Sequence, residues 1–100
     1  MSAIDDIGHE RQRQIDDERF DARHDDRHDF GELLDAAMCY VAISRRGYSM
    51  NSFLQEIVSR LWPWDKEWWK PKDPRRNLVK AAALLVAEID RLDRAVTKVA

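Results

Sequence analysis

Asp73-Pro74-Arg75-Arg76-Asn77-Leu78-Val79-Lys80-Ala81-Ala82-Ala83-Leu84-Leu85 opens the stretch whose reading decides the fold. From Leu78 onward, Ala81, Ala82, Leu85, Ile89, Leu92 and Val96 return at steps of three and four, with Lys80, Glu88, Asp90, Arg91, Asp93 and Arg94 mostly between them. That period belongs to an amphipathic α-helix. Its start is written as an acidic cap, Asp73, before a proline whose missing amide proton costs nothing at the first helical position. A core helix is therefore expected over residues 74–98.

Working back, Asp29-Phe30-Gly31-Glu32 has the form of a capping box, with Asp29 as cap and Glu32 reaching back. Leu33, Leu34, Ala36, Ala37, Tyr40, Val41 and Ile43 then give a wide apolar face that ends at Arg45-Arg46-Gly47, so a central helix is expected over 29–46. Ser52-Phe53-Leu54-Gln55 ahead of Ile57, Val58 and Leu61 predicts a short helix over 51–61. Residues 1–20 predict an amino-terminal helix with a thin stripe of Ile4, Ile7, Arg11, Ile15 and Glu18, packed along the domain or across to a second subunit. No segment alternates with period two for long enough to make a strand. The expectation is a single all-α domain, a compact bundle of three to four helices joined by a Trp- and Pro-rich loop.

Composition narrows the class. With 44% hydrophobic and 36% charged residues the chain is too apolar for disorder and too charged for a membrane span. The longest nearly apolar run, Ala81 to Ala87, falls far short of the roughly 20 residues a bilayer requires. No basic region followed by an apolar run marks the first residues, so a cytoplasmic location is expected. Cys39, the lone cysteine, sits in an apolar run and reads as a small buried hydrophobe.

The net charge of -2 conceals an asymmetry: residues 1–32 carry eleven acids against five Arg, and residues 60–80 carry seven Lys and Arg against three acids. The balance argues against general nucleic-acid binding. It leaves the basic end to be met by acids of the same fold, by another subunit, or by an anionic ligand.

All four tryptophans, Trp62, Trp64, Trp68 and Trp69, lie within eight residues, bracketed by Pro63, Pro71 and Pro74. The prolines predict a stiff loop. Its indoles either close the end of the bundle or offer a stacking surface for a base, which is worth roughly 1 to 3 kcal/mol per ring. Lys70, Lys72, Arg75, Arg76 and Lys80 stand nearby. Arg75 and Arg76 fall in the first turn of a helix, whose free amides favour anions and disfavour these cations. Either a phosphate or a carboxylate of the protein would relieve that conflict.

Two further clusters carry metal-binding readings. His24-Asp25-Asp26-Arg27-His28-Asp29 spaces two histidines four apart among carboxylates, although the run reads more readily as a salt-bridged loop. Its His-Asp doublets resemble those of metal-dependent phosphohydrolases of the HD type. Glu32-Leu33-Leu34-Asp35 resembles the carboxylate helix of all-α nucleoside triphosphate pyrophosphohydrolases of the MazG type. That likeness implies magnesium-dependent chemistry, with Glu18, Glu32 and Asp35 as a partial site; the second acidic pair the family needs is missing, since Glu88 and Asp90 do not share a helix face. No nucleophile triad and no glycine-rich phosphate loop is present in the local sequence.

Taken in order, Glu10-Arg11-Gln12-Arg13-Gln14, His24-Asp25-Asp26, Gly31-Glu32-Leu33, the Trp62-Pro63-Trp64 and Trp68-Trp69-Lys70-Pro71 segment, and Arg75 to Leu84 resemble a family of small uncharacterised phage and prophage proteins. The resemblance implies an accessory protein acting in the bacterial host cell and brings no activity with it. By analogy with such proteins, the leading expectation is a non-catalytic anti-defence protein that sequesters an anionic nucleotide-like immune signal. Stacking would come from Trp62, Trp64, Trp68 or Trp69, and phosphate contacts from Lys70, Lys72, Arg75 or Arg76. The alternative is a protein-binding inhibitor of a host defence complex, of anti-CRISPR type, using the same residues as an interface hot spot. The MazG-like hydrolase is a third class. No cofactor is expected, and a homo-oligomer is, because a second subunit would supplement a small core.

Overall fold

In the computed structural model, which describes residues 2–99 and the side chains of 2–96, α-helices run over Ala3–Glu18 (α1), Ala22–Asp26 (α2), Glu32–Ser44 (α3), Ser52–Leu61 (α4) and Pro74–Val99 (α5). Single 3-10 turns occupy Tyr48–Met50 and Lys66–Trp68, and no strand occurs among the described residues. The protein is an all-α helical bundle.

α3 and α5 form the central pair. Lys80 Nζ lies 5.5 Å from the centre of the Tyr40 ring, and Arg94 at the far end of α5 bonds Asp26 just ahead of α3, so the two helices run antiparallel. Their seam is built from Leu33, Ala36, Ala37, Tyr40, Ala81, Leu84 and Ala87. The four alanines bring the backbones close and leave Leu33 and Leu84 to fill the space between them. α4 covers the other side of α3, where Leu54 and Val58 pack on Cys39 and Ala42. Burial pushes the Cys39 thiol up to about 11, so it behaves as the expected small hydrophobe.

Helix starts follow local chemistry with small displacements from the sequence reading. Asp73 caps α5 as expected, accepting from the Arg76 amide at 3.0 Å. α4 is capped by Asn51, one residue before the expected Ser52, with the Leu54 amide at 3.0 Å from its Oδ1. Asp29 does not cap α3. Gly31 takes that place with φ +89, a conformation only glycine holds without strain, and Glu32 reaches back to the Phe30 amide at 2.8 Å. The helix therefore begins at Glu32 rather than at 29, and it ends at Ser44 because Arg45 is already extended.

Two other expectations are corrected. The histidine-containing run is not a loop throughout, because Asp21 accepts from the His24 amide at 2.9 Å and nucleates α2. α1 also docks on one edge of the expected stripe rather than along it: Arg11 and Glu18 face inward beside buried Glu10 and Gln14, whereas Ile4 is 82% exposed. The interface of α1 with α5 is mostly polar, and its chemistry defines the site.

Candidate functional site

The loop from α4 to α5 is held by side chains of the two central helices. The Tyr40 hydroxyl accepts from the Lys70 amide at 3.3 Å, Lys80 Nζ donates to the Lys70 carbonyl at 2.6 Å, and the Asn77 amide group brackets Lys72 with bonds of 2.6 and 2.9 Å. Inside the loop, Trp62 Nε1 donates to the Asp65 carbonyl at 3.1 Å, and the Lys66–Trp68 turn closes on that same carbonyl. The backbone carrying the indoles is thereby fixed from both ends.

The four rings have different roles. Trp62 and Trp69 pack against both parts of the core, 4.8 Å apart between ring centres, with Tyr40 4.8 Å from Trp69. Trp64 stands edge-on to Trp62 at 5.5 Å and receives Phe20, His24 and His28 around it at 5.1 to 5.7 Å. Trp68 is half-buried, and its one charged ring neighbour is Lys70, whose Nζ lies 5.2 Å over it.

Between Trp64 and Trp68 an open cleft of about 370 Å³ is bounded by Phe20, His24, Pro63, Glu18 and Asp65. Glu18, Phe20, Trp64 and Trp68 also belong to the wall of a narrow enclosed chamber of about 10 Å³, whose polar lining is Glu10, Arg13, Gln14, Tyr40 and Lys80. That volume is about one water molecule. Two buried polar atoms lack hydrogen-bond partners among the described residues, Gln14 Oε1 and Trp64 Nε1, and both residues line this chamber. The site is an aromatic mouth above a small polar floor.

The floor is electrostatically mixed. Glu10 is gripped by Arg13 through two bonds of 2.8 Å, by Arg76, and by Gln14 at 3.2 Å. Burial alone would raise its pKa, but the hydrogen bond and charge of Arg13, with the charge of Arg76, hold it below the ordinary value. Glu18 lies 3.5 Å from Arg13 and 3.7 Å from Lys70. Burial draws the Lys80 ammonium below its usual range and pushes the Tyr40 hydroxyl up to about 12. Four cations, Arg13, Lys70, Arg76 and Lys80, thus surround two carboxylates, Glu10 and Glu18, and Asp65 adds one acid at the mouth.

Of the residues singled out in the sequence, the structure brings Trp62, Trp64 and Trp68 to the chamber, sets Lys70 over Trp68, and ties Arg76 to the floor through Glu10. The other three lie elsewhere. Trp69 is in the core seam, Lys72 is exposed beyond the cleft, and Arg75 bonds Asp6 of α1 at 2.7 Å. The basic start of α5 is answered by acids of the same chain, Asp6 for Arg75 and Glu10 for Arg76. Sequence reading missed Glu10, Arg13, Gln14, Phe20 and Tyr40, whereas Lys80, one of the cations noted beside the tryptophans, does reach the chamber. The four-residue spacing of Glu10, Gln14 and Glu18 was the available signal, since it places all three on one face of α1.

The residues weighed as metal ligands are engaged in ion pairs and hydrogen bonds of the fold. His24 Nδ1 meets Asp25 at 2.9 Å, Asp25 meets Arg11 at 2.6 Å, and His28 Nδ1 meets Glu32 at 3.0 Å. Glu18 does not join Glu32 and Asp35, and no three His, Cys, Asp or Glu side chains are grouped to hold a metal ion among the described residues. No helix among the described residues is long and apolar enough to cross a membrane.

Fold and site together define a small all-α bundle with a preorganised aromatic cleft over a floor of mixed charge. Comparison with protein-family models, with curated proteins and with solved structures gives no match.

Proposed function

We propose that this protein is a non-catalytic binding protein that captures a nucleotide-like anion in the Trp64–Trp68 cleft, and that it acts as a homo-oligomeric phage anti-defence factor by withholding that molecule from host immunity. One observation carries the reading: an open aromatic cleft shares its inner wall with a chamber to which Arg13 and Lys80 contribute, and Lys70 stands over Trp68 at its mouth. A base would stack on the face of Trp68, and its phosphate would meet Lys70 and Arg13 after displacing their contacts to Glu18. Because the loop backbone is already pinned by Tyr40, Lys80 and Asn77, little ordering remains to be done on binding. The cleft's 370 Å³ lies near the low end of ligand pockets, roughly 300 to 1,000 Å³, and suits one nucleotide unit better than two.

The test is a thermal-shift and calorimetric panel of cyclic, mono- and diphosphate and ADP-ribose-type nucleotides. A ligand at a hundredfold excess over its Kd adds about 2.7 kcal/mol of stability. Trp68→Ala should weaken binding by about tenfold to a hundredfold, while leaving the melting temperature of the free protein nearly unchanged. If no nucleotide on the panel raises the melting temperature, the reading fails.

Asp65 and Glu18 at the mouth favour a second reading, in which the guest is a basic side chain of a host defence protein seated between the indoles. Stoichiometric recovery of one host protein from infected-cell lysate, lost with Trp68→Ala and with Asp65→Asn, would select it.

A further inference from the structure

We propose that two copies of this chain pair antiparallel through the outer face of α5. The inference deepens the homo-oligomeric part of the function proposed above, and it shares no residue with the cleft. The inner side of α5 is consumed by the bundle, where Ala81, Leu84 and Ala87 are buried. A second apolar seam runs along the outside: Leu78, Ala82, Leu85, Ile89, Leu92 and Val96, at steps of four, three, four, three and four. Leu78, Leu85 and Leu92 recur every seven residues, as do Ala82, Ile89 and Val96, the repeat of a helix that packs along another helix. Apart from the partly buried Ala82, every member of the stripe is exposed, Ile89 to 57% and Val96 to 70%.

The stripe continues sideways onto α3. Leu85 shares a shallow groove of about 270 Å³ with Met38, Val41 and Ile57, and Leu34 lies exposed one turn before Met38. Together the α5 stripe and these α3 residues expose on the order of 800 Å² of apolar surface, the share one partner contributes to a standard stable interface. A monomer's largest apolar patch is usually only about 300 to 600 Å².

The pattern also indicates what covers this face. The spacing is the same read from either end, so a two-fold axis at the level of Ala87 sets Leu78 against Val96, Ala82 against Leu92, and Leu85 against Ile89 of the second copy. The small side chain then faces a large one, as interdigitated layers require. A parallel pair would set Ala82 against Ala82 and leave a gap. Charge agrees with this direction: Arg45 and Arg46 are exposed at the end of α3 beside the amino-terminal half of α5, and Asp90 is exposed in its carboxy-terminal half. Antiparallel copies bring these opposite charges together, whereas parallel copies stack like on like.

The experiment measures mass and orientation. Light scattering or sedimentation equilibrium of the full chain should give twice 11.8 kDa at high micromolar concentration. Leu85→Glu with Ile89→Glu should give a monomer whose circular dichroism keeps its helical form. Orientation follows from cysteine cross-linking, because buried Cys39 does not interfere. Leu78→Cys combined with Val96→Cys should yield a cross-linked dimer, whereas Leu78→Cys alone should not, since the two copies of position 78 lie about 27 Å apart along the helix axis. A wild-type mass of 11.8 kDa overturns the proposal, and so does cross-linking by Leu78→Cys alone. If the nucleotide reading fails, the dimer mass and cross-linking are unaffected, so the two failures are distinguishable.

Discussion

At the scale of single residues, Arg19 shows how the bundle turns its first corner. It takes φ +59, the one positive φ at a non-glycine position among the described residues, so that its own amide and that of Phe20 both donate to the Gln14 carbonyl. This turn sends Phe20 inward to stack on His24 at 4.5 Å. The Arg19 side chain is exposed and makes no ion pair among the described residues, so it bears left-handed strain without return. Arg19→Gly should therefore raise stability by about 1 kcal/mol, read as a higher denaturant midpoint with an unchanged m-value. The sequence did not announce this corner, because an arginine carries none of the turn signals that glycine or asparagine would. Glu10 and Gln14 were hidden for a related reason. On an acidic, arginine-rich helix, a buried glutamate is indistinguishable from a solvated one until its Arg13 and Arg76 partners are placed.

At the scale of elements, readability follows the source of each helix's stability. α5 and the body of α3 were legible as helices from their apolar periodicity, and the start of α5 was legible because Asp73-Pro74 is a strong local signal; the buried face of α5 was not, since Ala81, Leu84 and Ala87 go inside while Leu78, Leu85, Ile89, Leu92 and Val96 of the expected core stripe stay exposed. Replacing that cap by Asp73→Ala should cost about 1 kcal/mol, checked by thermal unfolding. The position of α1 was not legible. Its docking face is an ion-pair network joining Asp6, Glu10 and Glu18 to cations of α1, α5 and the tryptophan loop, and a hydrophobic stripe carries no information about such contacts. The tryptophan segment was legible as a stiff connection, but the division of labour within it was not. Trp62 and Trp69 went into the core while Trp64 and Trp68 frame the cleft, an outcome set by α1 and Phe20 coming from the far end of the chain.

At the scale of the molecule, the bundle is a tightly seamed α3–α4–α5 unit with α1 fastened on by charge, and this predicts its response to acid. Burial opposes the ionised form of Glu10, but Arg13 and Arg76 overcome it and hold its carboxyl below the ordinary glutamate range; the hydrogen bond from Arg75 likewise lowers Asp6. A depressed folded-state pKa means that the stabilisation is in place above the unfolded value and disappears as pH falls through the folded one. The melting temperature should therefore be flat from neutrality to about pH 5 and fall steeply below pH 4. Glu10→Gln should lose about 3 kcal/mol near neutrality, because Arg13 and Arg76 lose their shared partner, and its acid limb should be shallower than that of the wild type. A final consequence follows from the packing of all four indoles into one end of the bundle, some in the seam and some at the cleft. The protein's tryptophan emission arises there and nowhere else, so its colour and quenching report on the mouth, the floor and the loop. The outer face of α5 contributes no such light, and its occupancy has to be measured by other means.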